Sequence, residues 1–300
     1  MSTLIKLFLI SFIFTNLCFS AENLGSIDHP IIIAMVPGQD TIVLNENGKL
    51  IQKYLEKDLN LHLKLVIPNN FIAVVESMGT KRIDVALMNT FGYILASAKY
   101  KARARLIGVF RKSAQYYGQI IARNDGPKTM QELNGKTFAF VDPASTSGYI
   151  LADKALKDEK IKLKSFVFAG KHDAVISMVY QGRVDAGATY HALAADGVPQ
   201  DARVLVKTQY PDVFEKIKIL KTTGPIPSDP IVFGAHVPLE LQEKIAESLK
   251  RFVATKEGKN VFINTYHLDD LKDASDKNWD DFRQILKDKG KSPEEFMQKK

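Results

Sequence analysis

The sequence predicts an α/β fold in which two lobes are each built on an open, mainly parallel sheet flanked by helices. Three observations carry this. Apolar runs of strand length alternate with helical patterns from Ile31 onward; 300 residues at 45% hydrophobic and 25% charged can bury the core of one large domain or two lobes; and one segment echoes another. The echo pairs residues 74–86, ending Lys81-Arg82-Ile83-Asp84-Val85-Ala86, with residues 175–187, ending Gly182-Arg183-Val184-Asp185-Ala186-Gly187. Both read as a helix, a tight turn and an Arg-aliphatic-Asp lead into a strand of small residues. A chance likeness between two α/β turns is the plainer reading; two lobes on one plan is the sharper one.

In chain order, short apolar stretches predict strands at 31–36, 62–67, 85–88, 106–110, 137–141, 165–168, 186–188 and 204–206, with a further strand-like run at 118–122. Helical spacing predicts helices at 49–59, 71–78, 148–157, 174–180 and 240–254, then 276–289 and a last short one after Ser292-Pro293. Crossings between lobes fall near 110–117 and in the Pro-rich stretch 222–230. The expected lobes are therefore residues 21–113 plus 226–300, and residues 114–225.

Residues 1–20 stand apart. Lys6 supplies a positive start, residues 7–14 form an apolar run far below the ~20 residues a spanning helix needs, and Cys18-Phe19-Ser20 precedes Ala21 as a cleavage site would. This reads as a secretory signal and predicts a periplasmic protein. Cleavage after Ser20 removes Cys18, the single cysteine, and leaves a chain without disulfide or thiol chemistry. Lipid attachment at Cys18 is disfavoured because Thr15-Asn16-Leu17 does not place a large aliphatic residue three positions before the Cys and a small one just before it. The formal net charge of +7 falls to +6 once Lys6 is removed. Acidic residues are interleaved among the basic ones, and the richest basic stretch, residues 99–105, reads as a helix-to-strand connection, so nucleic acid is not an expected partner. The six His residues are scattered without ligand spacing, so neither a metal nor a cofactor is expected.

The most informative segment is Asp142-Pro143-Ala144-Ser145-Thr146-Ser147-Gly148-Tyr149. A strand that turns through three hydroxyl side chains into a helix start directs free N–H groups and the positive dipole end at one spot, which suits a small tetrahedral anion. Ser and Thr are equally ordinary N-caps, and the segment alone does not choose between cap and cradle. In open α/β sheets, ligand groups lie beyond the carboxyl ends of strands. That rule nominates residues 37–41, Phe71, Asn89 and Thr90 in the first lobe, and Ser145, Thr146, Ser147, residues 171–173 and Tyr190 in the second. His172 opens a helix and could donate to an anion, and a surface His beside the cap Asp173 reads equally well. Tyr116 or Tyr117 could line the cleft. Asp185, just ahead of a strand, reads as capping or structural pairing.

Four segments resemble one family. Residues 138–149, 168–174, 182–188 and 226–232, the last reading Ile-Pro-Ser-Asp-Pro-Ile-Val, are similar in order and spacing to the periplasmic phosphate/phosphite/phosphonate-binding components of ABC transporters. The resemblance implies a two-lobed Venus-flytrap fold of the type II periplasmic-binding-protein kind, each lobe an open mixed sheet flanked by helices. It implies that Ser145, Thr146 and Ser147 hold oxygens of a phosphorus oxyanion, that His172 and Tyr116 donate further hydrogen bonds, and that Asp229 faces the ligand. It implies a monomer that delivers its ligand to an ABC permease and is not an enzyme. Two positions depart from the pattern: Asn70-Phe71 lacks the hydroxyl of the usual Asp-Tyr, and Thr189-Tyr190-His191-Ala192 lacks the Glu of aminophosphonate binders. A ligand-sensing partner of a membrane receptor would use the same pocket. A secreted hydrolase would need Ser145 or Ser147 in contact with His172 and an oriented Asp.

Overall fold

The computed structural model describes residues 24–194 and 197–287. The expected signal segment, Cys18 and the helix after Pro293 lie outside the described residues.

The first half runs β1 (Ile31–Met35), α1 (Thr41–Leu59), β2 (Leu63–Val66), α2 (Phe71–Gly79), β3 (Val85–Leu87), α3 (Thr90–Tyr100) and β4 (Arg103–Val109). The chain then passes to β5 (Gln115–Arg123), β6 (Thr137–Phe140), α4 (Leu151–Asp158), β7 (Ser165–Phe168), α5 (His172–Tyr180), β8 (Ala186–His191), the short α6 (Val213–Lys216) and β9 (Ile217–Pro227). It returns through β10 (Pro230–Phe233), α7 (Leu239–Ala254), α8 (Lys256–Tyr266), β11 (Asp270–Asp273) and α9 (Asp280–Lys287). Two mixed sheets result, ordered β11-β4-β10-β3-β1-β2 and β7-β6-β8-β5-β9.

The two sheets share a plan. In each, one strand lies between two parallel neighbours, β2 and β3 around β1, β7 and β8 around β6. An antiparallel strand from the crossing follows, β10 against β3 and β5 against β8. The echoed sequence does the same work in both. The Asp84 carboxylate accepts the Ile32 N–H at 2.7 Å while the Asp84 N–H donates to the Ile32 carbonyl; the Asp185 carboxylate accepts the Thr137 N–H at 2.8 Å while the Asp185 N–H donates to the Thr137 carbonyl. A carboxylate that satisfies the first amide of the neighbouring strand fixes where the parallel pairing begins. Asp185 is therefore structural, as its position ahead of a strand predicts.

Predicted and observed elements differ where local chemistry overrides pattern. Residues 204–206 form a 3-10 turn, Ala202–Val206, not a strand, because Asp201 caps it by accepting the Arg203 N–H and holds the Arg203 guanidinium. The helix expected from residue 148 is preceded by one π turn, Thr146–Ile150. Strand β9 was read as part of the crossing because of Pro225 and Pro227, but it is an edge strand, where missing N–H groups are tolerated. Helix α3 is an element the sequence pattern does not predict; its N-cap residue, Asn89, makes no side-chain cap bond and turns its amide to Ala144 and Thr146 instead. Helix α8 opens on Lys256-Glu257-Gly258-Lys259-Asn260 with no apolar signal; Thr255 caps it, and a Cβ at Gly258 would lie 1.9 Å from the Phe252 carbonyl oxygen, so only glycine permits the tight α7–α8 junction.

Candidate functional site

The Ser145-Thr146-Ser147 turn sits at the carboxyl end of β6 and all three residues are buried. Their hydroxyls have three different settings. Ser145 Oγ accepts the Gly148 N–H at 3.1 Å, so this residue is the cap. Thr146 Oγ1 accepts the Phe91 N–H of α3 at 3.0 Å and the Asn89 side-chain amide at 3.1 Å, a contact that reaches across to the first sheet. The Ser147 hydroxyl stands beside those of Thr146 and Tyr116. Where backbone or amide N–H groups occupy the oxygen lone pairs, the hydroxyl proton remains for donation to an acceptor in the cleft. The amides of Thr146 and Ser147, in the first turn, have no acceptor among the described residues. Gly148 faces inward: a Cβ there would lie 2.4 Å from Val141 Cγ2, so glycine seats the turn against β6 and does not clear the ligand's path.

This turn borders a cavity of about 260 Å³ between the two sheets. The first sheet contributes Gly38, Phe71 and Asn89, the second His172 and Tyr190, and the crossings Tyr116 and Asp229. Burial pushes the Asp229 carboxyl up to about 7, although the Tyr116 hydroxyl and the Thr90 amide favour its charged form. Burial and the neighbouring Asp229 raise Tyr116 well above an ordinary phenol, so it stays a donor. Burial lowers His172 to about 3, with a contribution from His267, which keeps its imidazole neutral. The His172 N–H of the backbone donates to the Gly38 carbonyl at 3.1 Å, tying the start of α5 to the opposite sheet.

Sequence-predicted residues are thus mostly gathered on one cavity. Ser145, Thr146, Ser147, His172, Tyr116, Asp229, Tyr190 and Asn89 line it. Thr90 does not: its hydroxyl donates to the Pro227 carbonyl at 2.6 Å. Tyr190 lines the cavity with its hydroxyl 2.5 Å from His267 Nε2, and its ring packs edge-on to His172 at 5.0 Å. Tyr266 and His267 escaped sequence reasoning because the helix that delivers them, α8, was not legible. The Tyr266 hydroxyl is buried without a partner, and Asp229 adds to the burial that raises its pKa. It offers the kind of donor that Phe71 lacks. Of eight buried side-chain polar atoms without a partner among the described residues, four belong to this lining: Asn89 Oδ1, His172 Nδ1, Asp229 Oδ1 and the Tyr266 hydroxyl. Unpaired buried polar atoms are rare enough that their convergence marks a place where polar contacts are made. Among the described residues no cluster of His, Cys, Asp and Glu could hold a metal ion.

Residues 33–279 match the family model described as ABC transporter, phosphonate, periplasmic substrate-binding protein. The chain belongs to this family. Curated relatives include the phosphate-import protein PhnD of Mycolicibacterium smegmatis, 26% identical over 54% of this chain and 56% of the relative. Another is the probable ABC transporter phosphite-binding protein PhnD1 of Prochlorococcus marinus, 26% identical over 61% of this chain and 65% of the relative. The chain therefore spans between half and two thirds of the length of these relatives. Among solved structures, a binding-protein component of an ABC phosphonate transporter from Pseudomonas aeruginosa superposes with a TM-score of 0.75 at 16% identity, covering 85% of each chain. PhnD1 of Prochlorococcus marinus in complex with methylphosphonate gives 0.73 at 18% identity, covering 87% of this chain and 98% of that one. These neighbours share the two-lobed periplasmic-binding-protein fold. The family is one of substrate-binding proteins that work outside the cytoplasm.

Proposed function

We propose that this protein captures a phosphorus oxyanion, phosphate, phosphite or a phosphonate, outside the cytoplasm and presents it to an ABC permease. The observation that carries this reading is the Ser145-Thr146-Ser147 turn, whose Thr146 and Ser147 amides lack acceptors among the described residues and whose hydroxyls, with that of Tyr116, converge with unpartnered His172, Asp229 and Tyr266 atoms on one cavity. In this reading the turn holds two or more oxygens, with Tyr116, Tyr266 and His172 as further donors. An anion beside His172 offsets part of the burial penalty on the imidazolium and allows both ring nitrogens to donate. Asp229, poised near neutrality, accepts from a protonated oxyanion when ionised and donates to a deprotonated one when neutral.

The lobes, residues 21–113 plus 226–300 and residues 114–225, close on the ligand by bending at the two crossings, and the protein acts as an exported monomer released by its N-terminal signal. In this reading the protein binds without turnover, as expected of the substrate-binding family to which it belongs. Calorimetric titration with phosphate, phosphite, methylphosphonate and sulfate tests the reading. Saturable one-to-one binding of at least one phosphorus oxyanion is expected, with sulfate weaker; no binding of any of them contradicts it.

A further inference from the structure

The polar cradle does not account for the whole cavity. At about 260 Å³ it far exceeds what a bare five-atom oxyanion fills, given that one water occupies about 30 Å³ in the liquid. Part of the remainder is apolar: Leu44, Phe110, Leu193, Leu205 and Leu268 line it, from α1, the first crossing, the loop after β8, the 3-10 turn and the stretch after α8, alongside polar residues such as Gln39 and Gln115. Leu193 is 60% exposed although it borders the cavity, an apolar side chain at the mouth with little covering it. The acidic lining is sparse. Asp229 is the one carboxylate among the lining residues, and it stands in the cradle beside Tyr116. Ala192 leaves the loop after β8 without an acid at that position. Arg111 also borders the cavity, with its guanidinium over the Phe110 ring at 5.8 Å.

We infer that the site takes an organophosphonate whose phosphorus carries an uncharged, apolar substituent of several carbons, seated against Leu193, Leu205 and Leu268. This inference rests on the cradle reading above. An amine on the substituent would have no carboxylate partner outside the cradle, so aminoalkyl phosphonates are discriminated against by desolvation without compensation. Each methylene taken from water into such a wall tightens binding by about threefold to fourfold.

The test is a calorimetric series of phosphite, methyl-, propyl-, butyl- and phenylphosphonate, with 2-aminoethyl- and carboxymethylphosphonate as charged arms. Butylphosphonate is expected to bind at least tenfold more tightly than methylphosphonate, and Leu193→Asn together with Leu205→Ala to remove most of that gain while leaving methylphosphonate affinity within about twofold. Methylphosphonate binding as tightly as the longer alkyl compounds, or a charged arm outranking propylphosphonate, overturns the apolar chamber and leaves the cradle standing. Failure of every phosphorus compound to bind overturns the cradle instead.

Discussion

The two sheets repeat one design, and the turn after the strand flanked by parallel neighbours in each shows where they part. Strand β1 runs into Val36-Pro37-Gly38-Gln39-Asp40, and α1 is capped by the Asp40 carboxylate, which accepts the Ile42 and Val43 N–H groups. Strand β6 runs into Val141-Asp142-Pro143-Ala144-Ser145, and the helix start is capped by the Ser145 hydroxyl. Both caps satisfy an orphan amide. Asp40 also places a full negative charge on the positive end of α1, whereas Ser145 leaves the corresponding end uncompensated in charge. In the proposed reading, this difference at the cap is what lets the second lobe take the anion. The other lobe supplies the Asn89 amide and the Phe91 N–H that orient Thr146.

Making the second turn like the first breaks this contrast most severely. Ser145→Asp keeps a cap acceptor for Gly148 but sets a carboxylate against the ligand, and repulsion of several kcal/mol predicts a loss of phosphonate affinity of about a hundredfold or more. Ser145→Asn, a neutral cap, is expected to stay within about tenfold of the parent protein, and both variants are expected to melt close to it. Unchanged affinity in both would return the turn to plain capping.

Thr146 and Ser147 sharpen the contrast inside the turn. Thr146→Val removes the acceptor shared by the Phe91 N–H and the Asn89 side-chain amide, which keeps the Ala144 carbonyl, so it should weaken binding about tenfold or more and also lower the melting temperature of the unliganded protein by a few degrees, from a loss of about 1–3 kcal/mol. Ser147→Ala removes a hydroxyl that serves the cavity; about tenfold weaker binding with an unchanged melting temperature is expected. Calorimetry beside thermal melts separates the two.

Asp229 carries the pH dependence. Its carboxyl titrates near 7 in the fold against about 4 in an unfolded chain, so its neutral form is favoured by folding; that contribution is complete below the ordinary carboxylate pKa and is lost as pH rises toward 7. Unliganded Asp229→Asn is therefore expected to match the parent in melting temperature near pH 4 and to exceed it by several degrees at pH 8. Its affinity for a fully deprotonated anion should fall less above pH 7 than the parent's does, because the ionised carboxylate is gone. A parallel pH profile in the two proteins would contradict the assignment.

The smallest effect belongs to the repeated strand clasp. The Asp185 carboxylate is held below its ordinary pKa by the Thr137 amide and hydroxyl against the opposing cost of burial, so its stabilisation is present above that ordinary pKa and lost as pH falls below it. Asp185→Asn should lower the melting temperature at pH 7 by a few degrees, about 1 kcal/mol, with the gap closing in acid and no change in ligand affinity.

What the sequence made legible follows from how local each signal is. The apolar runs of β1, β3 and β6, the echoed Arg-aliphatic-Asp leads and the Ser-Thr-Ser turn are contiguous, and all were readable in place. The hydroxyl roles within that turn were not, because they are set by Asn89 and Phe91, more than fifty residues away in the chain. Thr90 looked like a ligand residue from its place at a strand end, yet its side chain serves the crossing at Pro227. Tyr266 and His267 were invisible because α8 depends on a glycine junction with Phe252, not on its own periodicity. The apolar chamber escaped for a related reason: Leu44, Leu193 and Leu268 meet only in three dimensions.

The claim that the Ser145-Thr146-Ser147 turn grips a phosphorus oxyanion is tested most directly by titrating methylphosphonate into the parent protein, Ser145→Asn and Ser145→Asp side by side. One-to-one binding to the first two is expected, with the third weaker by about a hundredfold or more at equal thermal stability; equal binding by all three, or by none, would contradict the claim.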